Sequence, residues 1–262
     1  MRKTLPLALL ALSLCGQAIA AETHWTGFYF GLNAGHSGGD DRTDAALSGL
    51  WTGDMAAPSL AQALSVDGDV SGNSVGLQVG YDHQFANGWL LGVELDYQRP
   101  GIDETTTTVI SNINIGSATQ FADLRATSRL RSDDAWSLRP RLGYVTGKAL
   151  WYITAGYSRR SWDVASDYTF NVPAFSSSFS KAGGDSGTAN GLVWGAGVDW
   201  RFADRWSAGL RYTRTREESF DYAPTTTTRS GLYLLVPTDT AIEEISRKVQ
   251  ADNLSLTLNY RF

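Results

Sequence analysis

The nine residues from Leu254 to Phe262 alternate without a break. Leu254, Leu256, Leu258, Tyr260 and Phe262 are apolar, and Ser255, Thr257, Asn259 and Arg261 are polar. A period of two puts each set on its own face of a β-strand. Seven other segments repeat the pattern. Phe28, Phe30, Leu32 and Ala34 alternate with Tyr29, Gly31, Asn33 and Gly35; Val75, Leu77, Val79 and Tyr81 alternate with Gly76, Gln78, Gly80 and Asp82. Trp89, Leu91, Val93, Leu95 and Tyr97 face away from Gly92, Glu94, Asp96 and Gln98. The segments around Leu138, Ile153, Trp194 and Leu210 behave alike. The spacing predicts eight strands.

The polar face decides what encloses what. It carries Gly, Asn, Gln, Ser, Thr, Asp, Glu and Arg, and almost no large apolar side chain. A ring of eight strands has an interior just wide enough for side chains to fill. Trp and Tyr pointing inward would crowd it, whereas Gly beside long charged groups fits. The apolar set then faces outward, which only lipid tolerates. No stretch after residue 20 approaches the roughly 18 apolar residues of a transmembrane helix, but a membrane barrel needs none.

Connection lengths agree. Ala86-Asn87, roughly Val145 to Lys148, and Ala203-Asp204-Arg205 are short; Ser37 to Gly72, Arg99 to Asp134, Arg159 to Asn190 and Arg214 to Ala251 are long. Strict alternation of short and long is the habit of outer-membrane barrels, with tight periplasmic turns and large external loops. Trp25, Phe28, Phe85, Trp89, Trp151, Trp200, Phe202, Trp206, Tyr260 and Phe262 lie near a short turn or a terminus. Tyr97, Tyr157, Trp162, Tyr212 and Phe220 lie near the long connections. The two sets read as aromatic girdles at the membrane–water boundaries. Within the long connections, Leu124 to Ser132 keeps a partial alternation that extends strand four. Ala241 to Val249 has a helical flavour, and the Thr runs 105–108 and 225–228 read as polar, extended external loop.

The N-terminus reads as an export signal. Arg2 and Lys3 precede an apolar run from Leu5 to Leu14, and Ala18-Ile19-Ala20 has the small-x-small pattern of a cleavage site. Residues 1–20 are expected to be removed, leaving 21–262 as a single barrel domain. Cys15 is the chain's one cysteine, so the mature chain has neither disulfide nor thiolate chemistry. Loss of Arg2 and Lys3 leaves 20 basic against 27 acidic residues, a formal −7. That balance argues against nucleic acid as a partner.

The enclosed face carries its own chemistry. Asp82, Glu94, Asp96 and Asp199 stand against Arg139, Arg141, Arg201, Arg211 and Arg261. Carboxylates inside a barrel are costly unless paired, and the Arg fork suits such pairs. This lumen charge network reads as a structural plug, with a narrow gated ion path as the second reading. Catalysis has little to stand on: His24, His36 and His83 fit no Ser/His/Asp or metal-ligand pattern. His36 beside Ser37, at the end of the first strand, is the sole candidate for an outer-leaflet lipid-modifying site. No cofactor is implied.

These segments resemble a known family. WTGFYFGLNAG, GLQVGYDHQFANGWLLGVELDYQ, SLRPRLGYVTGKALWYITAGYS, GLVWGAGVDWRFADRWSAGLRYT and LTLNYRF are similar to the strands of the porin-family surface antigens of Gram-negative bacteria, OmpA-like eight-stranded barrels. Pro140 stands where that family has a small residue. The resemblance implies an all-β, antiparallel up-and-down barrel in the outer membrane, contacts with outer-membrane lipid, and roles in envelope integrity or as an antigen or adhesin with a host or surface ligand. It also implies insertion by the outer-membrane assembly machinery, which reads a terminal aromatic signal matched here by Leu258, Tyr260 and Phe262.

Overall fold

A computed structural model describes residues 24–65, 67–115, 120–217, 219–235 and 240–262. The expected export signal at 1–20 lies outside the described residues. The main strands are β1 (Gly27–Gly49), β2 (Asp67–Gln84), β3 (Trp89–Pro100), β5 (Phe121–Thr146), β6 (Ala149–Val172), β7 (Ser177–Arg201), β8 (Trp206–Glu217) and β11 (Ala241–Arg261). Each pairs antiparallel with the next, from β1–β2 through β8–β11, and β11 returns to pair with β1. The pairings therefore run round a ring. Three further strands, β4 (Ile102–Asn114), β9 (Phe220–Tyr222) and β10 (Thr226–Ser230), join β5, β11 and β7 outside that path.

Eight strands were expected, and eleven are present among the described residues. The reason is that the long connections themselves pair. β1 does not stop near His36 but stays in register with β11 as far as Gly49 opposite Ala241. β6 and β7 pair continuously from Ala149–Trp200 to Val172–Ser177 and close in a turn at Pro173–Phe175. The Thr105–Thr108 run lies in β4 against Arg129 to Ala126. Ala241 to Val249 is strand, not helix: Ala241, Glu243, Ile245, Arg247 and Val249 alternate inward while their neighbours turn out. Tertiary pairing overrides a helical composition here. Leu124 to Ser132 does extend its strand, as β5. Opposite its bulge between Ser132 and Ala135, the neighbouring wall breaks at Gly101, between β3 and β4. Pro140 is accommodated opposite Val93, where its carbonyl accepts from the Thr154 hydroxyl at 2.9 Å.

The short connections hold. Phe85 N–H donates to the Trp89 carbonyl at 2.8 Å, and Phe202 N–H to that of Trp206 at 3.2 Å. Gly88 (φ 85°) and Gly147 (φ 59°) occupy the left-handed conformations that these turns need.

Burial follows the alternation with its usual sense reversed. Leu32, Val79, Val93, Leu138, Ile153, Leu192, Leu210 and Leu256 are exposed, while Asn33, Gln78, Glu94, Arg139, Thr154, Arg211 and Thr257 are buried. Beyond this band, toward the long hairpins, the sense reverts without any change of parity. On β6, Thr154 and Ser158 point inward lower down; Trp162, Val164, Tyr168, Phe170 and Val172 point inward further on, with Arg159, Asp163 and Asp167 outside. On β11 the outward series changes from Leu254–Phe262 to Asp252, Gln250 and Lys248. The hairpin end is thus filled by a conventional apolar core. Trp51, Leu124, Tyr168, Phe170 and Phe179 cluster there beneath α1 (Ala57–Leu64), which contributes Leu60, Ala63 and Leu64. At the short-turn end a smaller cluster of Trp25, Leu90, Leu150 and Tyr152 fills the interior.

Candidate functional site

Inward positions of β2, β3, β5, β7, β8 and β11 converge on one charge network at the level of the apolar band. Glu94 is its hub. Its carboxylate accepts from Arg139 Nη2 at 2.5 Å, Arg211 Nη1 at 2.8 Å, Arg141 Nη1 at 3.3 Å and the Tyr29 hydroxyl at 2.7 Å. Arg211 Nη2 reaches Asp96 at 3.0 Å, Arg141 Nη2 reaches Asp199 at 2.9 Å, and Arg261 Nη2 reaches Asp82 at 2.7 Å. Arg141 Nε also lies 3.5 Å from Asp82, so Asp82, Glu94, Asp96, Arg139, Arg141, Asp199, Arg211 and Arg261 form one connected set. Every one of these side chains is buried.

Arg201 stands apart from these carboxylates. Its guanidinium lies 4.6 Å from the centre of the Trp25 ring, which Arg261 approaches from 5.5 Å. Trp25 is correspondingly not a girdle residue. It is fully buried inside the short-turn end, and its carbonyl accepts from Arg261 Nη1. Trp162 is likewise inside, donating its indole N–H to Glu217 at 2.6 Å. Both departures have the same cause: a cation or carboxylate in the interior offers the ring or its N–H a partner that lipid lacks.

Neutral groups complete the network. Asn33 donates to Gln78 and Asp96, Gln78 donates to Asn259, and Arg141 lies over the Tyr152 ring at 4.0 Å. Gly31, Gly92 and Gly209 make room: a Cβ on any of them would overlap Asn259, Asp82 or Asp199 respectively. Tyr29, Tyr152, Asn33 and Gln78 share the inward parity of the charged residues, and that parity is the signal by which they could be found. Just above, the space between Asp96, Arg139, Ser158, Thr213 and Asn253 is about 20 Å³, room for about one water.

A second tier of ion pairs lies beyond the band. Arg247 forks onto Asp41, Arg160 meets Glu217 at 2.7 Å, and Lys181 pairs with Glu243, which also accepts from Trp51 at 2.7 Å and Tyr168 at 2.5 Å. Burial pushes the Glu217 carboxyl above its usual range, against the opposing pull of Arg160.

The rims are equally defined. Leu258, Tyr260 and Phe262 lie on the outer face, with Tyr260 packed edge-on to Trp206 at 5.1 Å and to Phe262 at 5.3 Å. His83 packs edge-on against Phe85 at 4.8 Å on that face. His36 is exposed on the outer face and meets Asn73 at 3.1 Å, whereas Ser37 is buried on the inner face beside Asn253. The strand wall separates the two. No group of three or more acidic, His or Cys side chains suited to a metal occurs among the described residues.

Comparison with known proteins fits this geometry. Residues 7–262 match the model of the outer membrane protein beta-barrel domain. The chain belongs to that family. It is 26% identical over 239 residues to the 31 kDa outer-membrane immunogenic proteins of Brucella melitensis biotype 1 and Brucella suis biovar 1, covering 91% of this chain and 84% of each relative. Among solved structures it is similar to the outer membrane protein OprG from Pseudomonas aeruginosa, with 11% identity, a TM-score of 0.44, and 90% of this chain and 98% of that one covered. Neisserial surface protein A is similar at 13% identity and a TM-score of 0.36, over 90% and 98% of the two chains. This is an outer-membrane β-barrel protein with an immunogenic outer-membrane relative.

Proposed function

We propose that the chain is an eight-stranded, up-and-down, OmpA-like transmembrane barrel that serves envelope integrity and surface interaction and is not an enzyme. The eight strands are those of the ring, with β4, β9 and β10 as outgrowths of its external hairpins. The observation that carries this reading is the reversed burial: large apolar side chains are outside, and a closed ion-pair network is inside. Apolar groups in that position are tolerable in lipid. A packed network with about one water's room above it suits a plug. Residues 1–20 act as the cleaved export signal, and 21–262 form the barrel. Phe262, with Tyr260 and Leu258, serves as the signal to the assembly machinery; deleting Phe262 is expected to lower the membrane-inserted fraction, and unchanged insertion contradicts the assignment. The external hairpins carry any contact with a host or surface ligand, as the immunogenic relatives suggest for an exposed surface.

Loss of the protein is expected to raise envelope permeability or lower surface binding; no change in either contradicts the role. A narrow channel is the second reading, favoured by the charged lumen, and discrete conductance steps of pure protein in planar bilayers are its test. The lipid-modifying alternative gains no support from His36 and Ser37, which lie on opposite faces, and unchanged lipid A mass spectra on overexpression would remove it.

A further inference from the structure

Three strands carry the same step at the hairpin edge of the apolar band: Tyr97-Gln98-Arg99 on β3, Tyr157-Ser158-Arg159 on β6 and Tyr212-Thr213-Arg214 on β8. In each, the middle residue turns inward and is buried, so tyrosine and arginine share the outer face. Each phenol is pinned by an acceptor on a neighbouring strand. Tyr97 donates to Asp134 at 2.5 Å, Tyr157 to Asn190 at 2.6 Å, and Tyr212 to Asp252 at 2.6 Å. The arginine then stands one rung farther from the band.

The three guanidiniums are only loosely held. Arg99 lies 4.0 Å from Asp134, the limit of an ion pair, and its side chain is 71% exposed; Arg214 lies 3.7 Å from Asp252, donates to Gln250 at 3.2 Å and is 40% exposed. Each carboxylate also accepts from a tyrosine, which leaves exposed guanidinium donors on both arginines. Arg159 contacts only an uncharged group, the Thr188 hydroxyl at 3.3 Å, and is exposed. Beside Arg99 the outer face is grooved, because Ala34 is small where its neighbours are Leu32, Leu77 and Leu256. The groove holds about 600 Å³, with Tyr97 and Arg99 at one edge.

An apolar groove edged by an exposed, loosely paired guanidinium, at the height where lipid tails give way to headgroups, matches a lipid with a phosphate head. Arg suits phosphate because its fork can donate two parallel bonds, and interfacial tyrosine suits the boundary itself. We propose that the three Tyr-x-Arg steps form a collar that binds phosphate-bearing lipid of the outer leaflet, with an acyl chain seated in the groove beside Arg99. The collar rests on the transmembrane reading above.

The test titrates detergent-purified full-length protein with bis-phosphorylated lipid A, or with its dephosphorylated counterpart, and counts bound lipid by native mass spectrometry. Wild type is expected to bind the phosphorylated form at least tenfold more tightly. The triple variant Arg99→Gln, Arg159→Gln, Arg214→Gln is expected to lose that preference. An equal charge change farther out, Arg42→Gln with Arg125→Gln and Arg129→Gln, should retain it. A collar variant that binds like wild type, or a wild type indifferent to the phosphates, overturns the proposal. Each protein is also run boiled and unboiled in SDS. Heat-dependent mobility without phosphate preference removes the collar alone. A water-soluble protein with no such mobility removes the barrel reading and the collar together.

Discussion

Glu94 shows how much one side chain can hold. It is the shared acceptor of Arg139, Arg141 and Arg211 and of the Tyr29 hydroxyl. Truncation would leave three buried guanidiniums facing one another with their hub gone. Breaking a buried ion pair by removing one partner costs about 3–5 kcal/mol, so Glu94→Ala is expected to lower the unfolding free energy in vesicles by about that much. A urea titration followed by tryptophan fluorescence measures it, and a loss under about 1 kcal/mol contradicts the hub role. Glu217, beyond the apolar band, makes a prediction of opposite sense. Burial raises its folded-state pKa, so the folded protein holds this proton more tightly than the unfolded chain does. The resulting stability is full below the unfolded value of about 4.3, and it is lost as pH rises through the folded value. Glu217→Gln mimics the protonated form. Its stability relative to wild type is expected to grow as pH rises from 4 to 7, and a difference that stays flat with pH contradicts the account.

At the scale of the element, each long strand is two strands in series. At about 3.3 Å per residue, the 24 residues of β6 extend about 80 Å, well beyond a hydrocarbon core of about 30 Å even when tilted. The membrane half and the outer half share parity and pairing but bury opposite chemistry. Removing residues 163–186 and joining Trp162 to Gly187, its partner in register, by a tight turn is expected to leave heat-dependent mobility intact while lowering the melting temperature. Loss of insertion would show that the two halves do not fold independently. This duality also explains what could be read in advance. Alternation from Leu254 to Phe262 states its strand plainly because apolar and polar residues never share a parity. Between Ala241 and Val249 the inward set mixes Ala, Glu, Ile, Arg and Val, since Glu243 and Arg247 are buried against Lys181 and Asp41. No apolar stripe survives there, and the helix-favouring composition points the wrong way. The helix α1 is only eight residues long, too short for periodicity to reveal.

At the scale of the whole molecule, three interior layers are stacked along one ring of strands: Trp25, Leu90 and Leu150 at the short turns, the charge network in the middle, and the aromatic core under α1 at the far end. The outer surface changes along the same axis: apolar side chains such as Trp89, Trp151, Ile153 and Leu95 surround the short-turn and charged layers, and Arg159, Asp163 and Asp167 lie outside toward the far core. Strand periodicity alone reveals which residues share a face. It therefore places Trp162 on the inward face with Thr154 and Ser158, but it does not reveal that Trp25, which precedes β1, is drawn inside, because that depends on Arg201 and Arg261 contributed by distant strands. The same distinction among tryptophans gives the most direct test of the central claim, that the apolar face is the outer one. Single-tryptophan variants, with the other tryptophans changed to Phe, can compare Trp194, 42% exposed on the outer face of the wild type, with Trp25, fully buried inside at the level of the outward Trp89 and Trp151. With the protein folded into vesicles whose acyl chains carry brominated carbons, the Trp194 fluorescence is predicted to be strongly quenched and that of Trp25 to be much less affected. Equal quenching of the two, or quenching of Trp25 alone, would contradict the account.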